Sequence, residues 1–282
     1  MPDKFREPEH TLARADLKAV VGRERALIGM VHIGALPGTP RHTLKVDQLV
    51  AQAAIEARQL EDAGFDAIMI ENMHDVPYMH GHHGPEITAA MTRVASEVRA
   101  VVDLPLGVQI LSGGQAEALA TAQAAGGSFI RCENFVYAHV ADEGLLSEAC
   151  AGELLRYRRS IGAEQIAICC DLKKKHASHA ITADMALGEM VHAAEFFGAD
   201  AVIVTGGFTG QPVDEHEFRE VCDAATVPVI VGSGVNASSV GPLLSHADCV
   251  IVGSSIKYDG TWRNPVDPGR AAALVKAAKN AQ

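Results

Sequence analysis

A chain of 282 residues, 48% of them hydrophobic, carries enough apolar side chain for one large core. Its formal net charge of −11 and pI near 5.6 argue against nucleic acid or an anionic lipid surface as the main partner. No apolar run approaches the roughly 18 residues of a membrane span, and the start shows no signal-peptide pattern, so a cytoplasmic protein is expected. The six cysteines form no CxxC pair, which fits a reduced compartment. Cys169 and Cys170, adjacent on an expected strand, point to opposite faces and make a poor metal pair.

Residues 1–25 are charged and carry a weak helical pattern through Leu12, Leu17, Val20 and Val21. They are expected to form an N-terminal helical extension, with residues 26–282 as a single domain. The first strand covers Leu27–Val31 and ends at His32. A helix is expected from about Thr43, a candidate N-cap, to Ala63, with Gly64 as its C-cap. The unit then repeats. Strands are expected at 67–70, 106–110, 128–132, 166–170 and 201–205, and helices after Pro85-Glu86, over 115–125 and over about 147–161. Two further strands, Pro228-Val-Ile-Val231 and Asp248-Cys-Val-Ile-Val252, are short, continuous and apolar, as expected of strands buried on both faces. A helix after the first of these has Asn236 or Ser238 as candidate N-cap, and a last helix runs from Pro268 towards Ala278.

Eight strand–helix alternations call for a parallel sheet with right-handed crossovers, and eight strands close a barrel. The expected fold is therefore an α/β, (β/α)8 TIM barrel with a short N-terminal helical extension. An open, doubly wound sheet is the alternative, but its glycine fingerprint should follow the first strand, whereas here glycine loops follow the last two.

Those loops suggest a phosphate site. Gly232, Ser233 and Gly234 follow one strand, Gly253 and Ser254 the next, and Gly206-Gly207 ends the strand before. Glycine lets the backbone approach a ligand closely and aim successive N–H groups at an anion.

Chemistry in such barrels collects where strands end, so the tips are informative. Alternation puts Ala167, Cys169, Asp171 and Lys173 on one face, expected to look into the mouth together, and aims Gln109 and Thr205 inward. The fourth strand is ambiguous between the face of Arg131 and Glu133 and that of Cys132 and Asn134. Glu71, Asp171 and Lys173 are the candidate catalytic residues. Glu71 is a general base, and Lys173 a proton donor or Schiff-base nucleophile. His32, Asn72, Gln109, Arg131, Asn134, His176 and Thr205 are candidate substrate contacts. Among 13 histidines, His74, His80, His82 and His83 cluster in one loop. A divalent metal there is weighed but not favoured, because Gly81 and Gly84 make the segment pliable and its spacing fits no helix-borne ligand motif. No cofactor is expected.

Several runs resemble the BtpA/SgcQ family. They are Gly29-Met-Val-His-Ile-Gly-Ala-Leu-Pro-Gly38, Ile70-Glu-Asn72, Asp75-Val-Pro77, Phe129-Ile-Arg131, Asp171-Leu-Lys-Lys-Lys-His-Ala177, Val231-Gly-Ser-Gly-Val-Asn236 and Val252-Gly-Ser-Ser-Ile-Lys257. The ending Asp259-Gly-Thr-Trp-Arg-Asn-Pro-Val-Asp-Pro268 is among the most specific. The resemblance implies a TIM-barrel protein. It also implies two different roles, since one member is linked to photosystem I biogenesis and another sits among sugar-phosphate utilisation proteins. Where members often carry Leu-Arg-Asn-Asp after the third strand, this chain reads Leu111-Ser-Gly-Gly114.

The favoured function is an enzyme acting on a phosphorylated sugar or similar small phosphometabolite, of isomerase, epimerase or lyase type. The alternative is a non-catalytic assembly factor for a membrane complex. A homo-oligomer is expected, through the N-terminal segment or the helix near Arg93–Val102.

Overall fold

The computed structural model describes residues 15–81 and 83–281; Leu12 and His82 lie outside them. Eight parallel strands close a barrel. They are β1 (Ala26–His32), β2 (Ala67–Glu71), β3 (Leu106–Gln109), β4 (Phe129–Cys132), β5 (Ala167–Asp171), β6 (Ala201–Val204), β7 (Val229–Val231) and β8 (Cys249–Val252). Each pairs with its sequence neighbours, and β1 closes the ring on β8 with Leu27 opposite Val250. Around them run α2 (Val46–Ala63), α3 (Pro85–Val101), α4 (Gln115–Ala125), α5 (Ala151–Ser160), α6 (Leu187–Phe196), α7 (Glu215–Ala224), α8 (Val240–Leu244) and α9 (Pro268–Asn280), following α1 (Leu17–Val21). No helix among the described residues is long and apolar enough to cross a membrane.

The strands bury both faces, and each face belongs to a different core. Branched residues such as Ile68, Val108, Ile168 and Val202 pack outward against the helices. Small or flexible residues such as Ala67, Met69, Ala167, Cys169 and Ala201, together with Ile28, Ile203, Ile230 and Ile251, fill the interior. Phe129 is the large interior exception, and Gly107 makes room for it: a Cβ there would lie 2.2 Å from its ring. Below the barrel, α1 inserts Leu17 and Val21 into the same interior core. Asp200 ties the preceding chain down by accepting from the Ala15 N–H at 2.8 Å.

Several element ends differ from the sequence reading. Gly64 is the C-cap of α2 with φ +92°, but its N-cap is Lys45 rather than Thr43. The helix after β7 starts only at Val240, with Ser239 as N-cap. Asn236 instead folds its carbonyl onto the N–H groups of Ser238 and Ser239. The segments His139–Ala141, Gly144–Leu146 and Ala177–Ser178 form a small antiparallel sheet from the loops after β4 and β5. The helix expected from 147 therefore begins at Ala151.

Candidate functional site

The inward pleat of the strands continues to the top of the barrel and delivers polar side chains there. Glu71 continues the face of Ala67 and Met69, Asp171 that of Ala167 and Cys169, and Thr205 that of Ala201 and Ile203. The ambiguity at β4 resolves towards Arg131. A Cβ added to Gly232 would meet the interior side chains Ile203 and Thr205 and lie 3.4 Å from the Arg131 Nη2. A cavity of about 580 Å³ opens above, lined by His32, Glu71, Arg131 and Lys175 and by the loops after β6, β7 and β8.

Arg131 and Asp171 form a buried fork-on-carboxylate pair. Nη2 donates to Oδ1 at 3.0 Å and Nε to Oδ2 at 3.2 Å. Burial alone would lower the guanidinium, but the carboxylates of Asp171 and Glu71 outweigh it and hold Arg131 charged. Burial raises Asp171 against the pull of the same arginine. Asp171 thus orients Arg131, and Arg131 faces the cavity.

Glu71 behaves differently. It is buried, and among the described residues its carboxylate accepts no hydrogen bond. Burial raises its pKa, opposed by Lys175 and Arg131. His32 stands beside it, with Nε2 3.8 Å from Glu71 Oε2. The other ring nitrogen of His32 lies 2.8 Å from the Trp262 carbonyl, which can only accept, so Nδ1 carries the proton and Nε2 a lone pair. Burial, helped by Lys257, holds His32 well below the ordinary histidine range, hence neutral. Lys175 is half-buried in the same cavity and, among the described residues, has no ion-pair partner. Burial and Arg131 lower its pKa, against Glu71 and Asp171.

The glycine loops meet these groups. Among the described residues the N–H groups of Ser233, Gly234, Ser254 and Ser255 have no acceptor within the protein. Their loops interlock: Ser233 Oγ accepts from Gly206 N at 2.7 Å and donates to the Gln211 carbonyl, and Ser255 Oγ donates to the Val235 carbonyl. Gly234 has φ +70°, and a Cβ there would lie 2.4 Å from Pro212 Cα, so both conformation and contact require glycine. Arg270 of α9 also lines this end.

Of the sequence candidates, His32, Glu71, Arg131, Gly232, Ser233, Gly234, Gly253 and Ser254 line the cavity together. Gln109 sits on the inward face below the rim, fully buried, with its Oε1 unpartnered. Thr205 bonds the Lys173 carbonyl at 3.2 Å and holds the loop after β5.

Others are directed elsewhere. Lys173 does not share the mouth with Asp171. The strand ends at Asp171, the pleat stops there, and Lys173 reaches outward to Glu217 of α7 at 3.1 Å. Asn72 faces outward and bonds Asp75 and both backbone groups of Leu111. Asn134 likewise faces out, bonding the Glu148 carbonyl and Gln115. His176 packs on Phe208 and bonds Thr209 Oγ1 at 2.9 Å. Gly206 spends its N–H on Ser233, and Gly207 accepts from His176 N, so Thr209, Gly210 and Gln211 reach the cavity in their place.

Sequence reasoning missed Lys175, although it lies within the run Asp171–Ala177, and Trp262, which closes the cavity beside His32. It also missed a second buried cluster, in which Lys174 pairs with Glu133 at 3.4 Å and with Glu143, and Ser112 bonds both carboxylates. That cluster pins the small antiparallel sheet to the loop after β3. The loop histidines diverge: His74 stacks on Trp262, His83 bonds the Ser112 carbonyl, and His80 packs beside Gly113. Among the described residues no three metal-ligating side chains converge.

The profile of the BtpA family matches residues 23–280. An uncharacterised mitochondrial protein of Caenorhabditis elegans is 41% identical over 93% of this chain and 96% of its own length. The photosystem I biogenesis protein BtpA of Synechocystis is 32% identical over 93% of this chain and 91% of its own. Among solved structures, the (S)-3-O-geranylgeranylglyceryl phosphate synthase of Thermoplasma acidophilum, in complex with sn-glycerol-1-phosphate, superposes with a TM-score of 0.59 at 18% identity, over 94% of this chain and 97% of that one. That likeness is one of fold. The chain belongs to the BtpA family, and its fold is a TIM barrel.

Proposed function

We propose that the protein is an enzyme acting on a small phosphorylated metabolite, with the phosphate held after β7 and β8 and a proton moved beside a carbonyl by Glu71. One observation carries this reading. A buried carboxyl without a hydrogen-bond partner among the described residues shares a cavity with four backbone N–H groups that have none. The two are contiguous: a Cβ on Gly253 would lie 3.4 Å from His32 Nε2, itself 3.8 Å from Glu71. Several structural neighbours carry phosphorylated compounds in their names, which agrees with this use of the fold.

The roles follow from charge. The Glu71 carboxylate takes a proton from the carbon next to the substrate carbonyl, and burial raises its pKa, which strengthens it as a base. Negative charge moves to the carbonyl oxygen, where Lys175 and Arg131 stabilise it. Glu71 returns the proton to the former carbonyl carbon while the substrate's adjacent hydroxyl proton passes to the former carbonyl oxygen, so no other reagent is consumed. The neutral His32 Nε2 accepts a substrate hydroxyl proton in a hydrogen bond. An isomerase or epimerase is the reaction type this set of groups supports best.

The test is calorimetry against a panel of sugar phosphates. A phosphate ester should bind the wild type and Glu71→Gln alike, and binding should be lost in Gly234→Val, whose side chain collides with Pro212. If no phosphorylated compound binds, the assembly role suggested by the name of the Synechocystis relative takes precedence.

A further inference from the structure

A second cavity of about 460 Å³ lies against the first and shares His32 and Trp262 with it. We infer that this second cavity is an anion subsite, so that the substrate carries anionic groups at two positions. The substrate claim rests on the first cavity holding a phosphorylated metabolite; the subsite itself stands on separate residues.

Its walls come from the loops after β1 and β2, from α2 and from the segment 258–266. The loop after β1 contributes Gly34, Ala35 and Arg41, and the segment 258–266 contributes Trp262 and Arg263. Among the described residues the only carboxylate on the wall, Glu56, is already neutralised: Lys257, fully buried behind it, donates to Glu56 Oε2 at 2.6 Å. Arg41 and Arg263 therefore face the cavity with no ion-pair partner among the described residues, in a chain whose net charge is −11.

Geometry places one of these cations at a residue that the two cavities share. The Arg263 guanidinium lies over the Trp262 indole, 4.5 Å from its centroid, and Trp262 lines both cavities. His74, whose ring lies 5.1 Å from Trp262, is lowered first by burial and then by Lys257, Arg263 and Arg41 together. Both guanidinium groups are exposed on the cavity wall, and arginine offers an anion two parallel N–H bonds. A carboxylate or a second phosphate meets that chemistry. A neutral sugar end does not.

Inorganic phosphate probes both cavities without knowledge of the substrate. In equilibrium dialysis at low ionic strength the wild type should bind two phosphates. The double variant Arg41→Ala/Arg263→Ala should keep one, and Gly234→Val should lose the other. Arg41→Lys/Arg263→Lys, which keeps the charge without the fork, should bind the second phosphate more weakly than wild type but still measurably. If the double alanine variant still binds two, the subsite is wrong while the phosphate loops stand. If Gly234→Val still binds two, it is the phosphate-loop reading that falls, and with it the claim of a substrate anionic at both ends. Succinate displacing only the arginine-dependent phosphate would assign the subsite to a carboxylate end. A hexose bisphosphate should then bind at least ten-fold tighter than the hexose monophosphate, with that advantage abolished in the double alanine variant. Equal affinities in the wild type would overturn the two-anion substrate.

Discussion

Glu71 Oε2 stands 3.8 Å from His32 Nε2, too far for a hydrogen bond, with the proton of His32 on the opposite nitrogen. Neither group therefore satisfies the other, and both present lone pairs to the cavity. That separation distinguishes the pair from a hydrogen-bonded ion pair. The Arg131–Asp171 contact shows what the latter looks like.

Glu71→Gln is expected to lower turnover on the identified substrate by about 10²–10⁴-fold while leaving phosphate affinity unchanged. It should also stabilise the fold at neutral pH. The folded-state pKa of Glu71 lies above its unfolded value, so its contribution to stability is intact in acid and is lost as pH rises through the folded value. Urea midpoints at pH 7 should thus favour the variant, and the difference should vanish near pH 4, the ordinary glutamate range. A variant less stable than wild type at both pH values would mean that Glu71 is held by contacts and is not free for chemistry.

Asp171→Asn is expected to act on stability first. It leaves the Arg131 guanidinium buried without its charged partner, which costs about 3–5 kcal/mol. Chemical denaturation measures this directly. A drop in turnover with unchanged stability would instead give Asp171 a direct part in the reaction.

The two lysines separate cleanly. Lys173→Ala removes a partly exposed pair with Glu217 and should change stability by less than about 1 kcal/mol, with turnover unaffected. Lys175→Ala removes the ammonium in the cavity and should lower turnover by about 10²-fold, the scale of losing one donor to a developing oxyanion. Steady-state kinetics on both variants decides which lysine serves the site.

His139 supplies a pH signature for the small sheet. It is buried with Nε2 unpartnered, and burial and Lys174 push its pKa down to about 4. The unfolded chain takes up this proton below about pH 6.5, whereas the folded chain resists until about 4. Stability should therefore fall as pH drops across that window, and His139→Phe should flatten the fall. Identical slopes for both proteins would show that His139 titrates freely when folded.

Much of this was legible in the sequence, because strand periodicity is a local property. Alternation within a strand needs only the chain's own pleat, so the interior face of Ala167, Cys169 and Asp171 and the outer face of Ile166, Ile168 and Cys170 could be separated before any contact was known. The same holds for the paired glycine loops after β7 and β8, where close backbone approach needs a residue without a side chain. The pleat stops with the strand. Past Asp171 the direction of each side chain is set by its neighbours in space, which is why Lys173 turns out to Glu217 and Lys175 turns in. Asn72 and Asn134 sit on outward positions, yet their polarity at a strand tip looked functional; only Leu111 and Glu148, 39 and 14 residues away, reveal that they fasten loops.

What the sequence by itself determined, then, is the barrel, its two faces and the strand ends at which polar side chains gather, encoded in apolar periodicity of period two and its glycine punctuation. What only the tertiary structure decided is which polar groups share a cavity. Contacts such as His32 with Trp262, 230 residues apart, and Lys257 with Glu56, 201 apart, depend on barrel closure between β1 and β8. No local pattern records them, since the residues become neighbours only after the ring has closed.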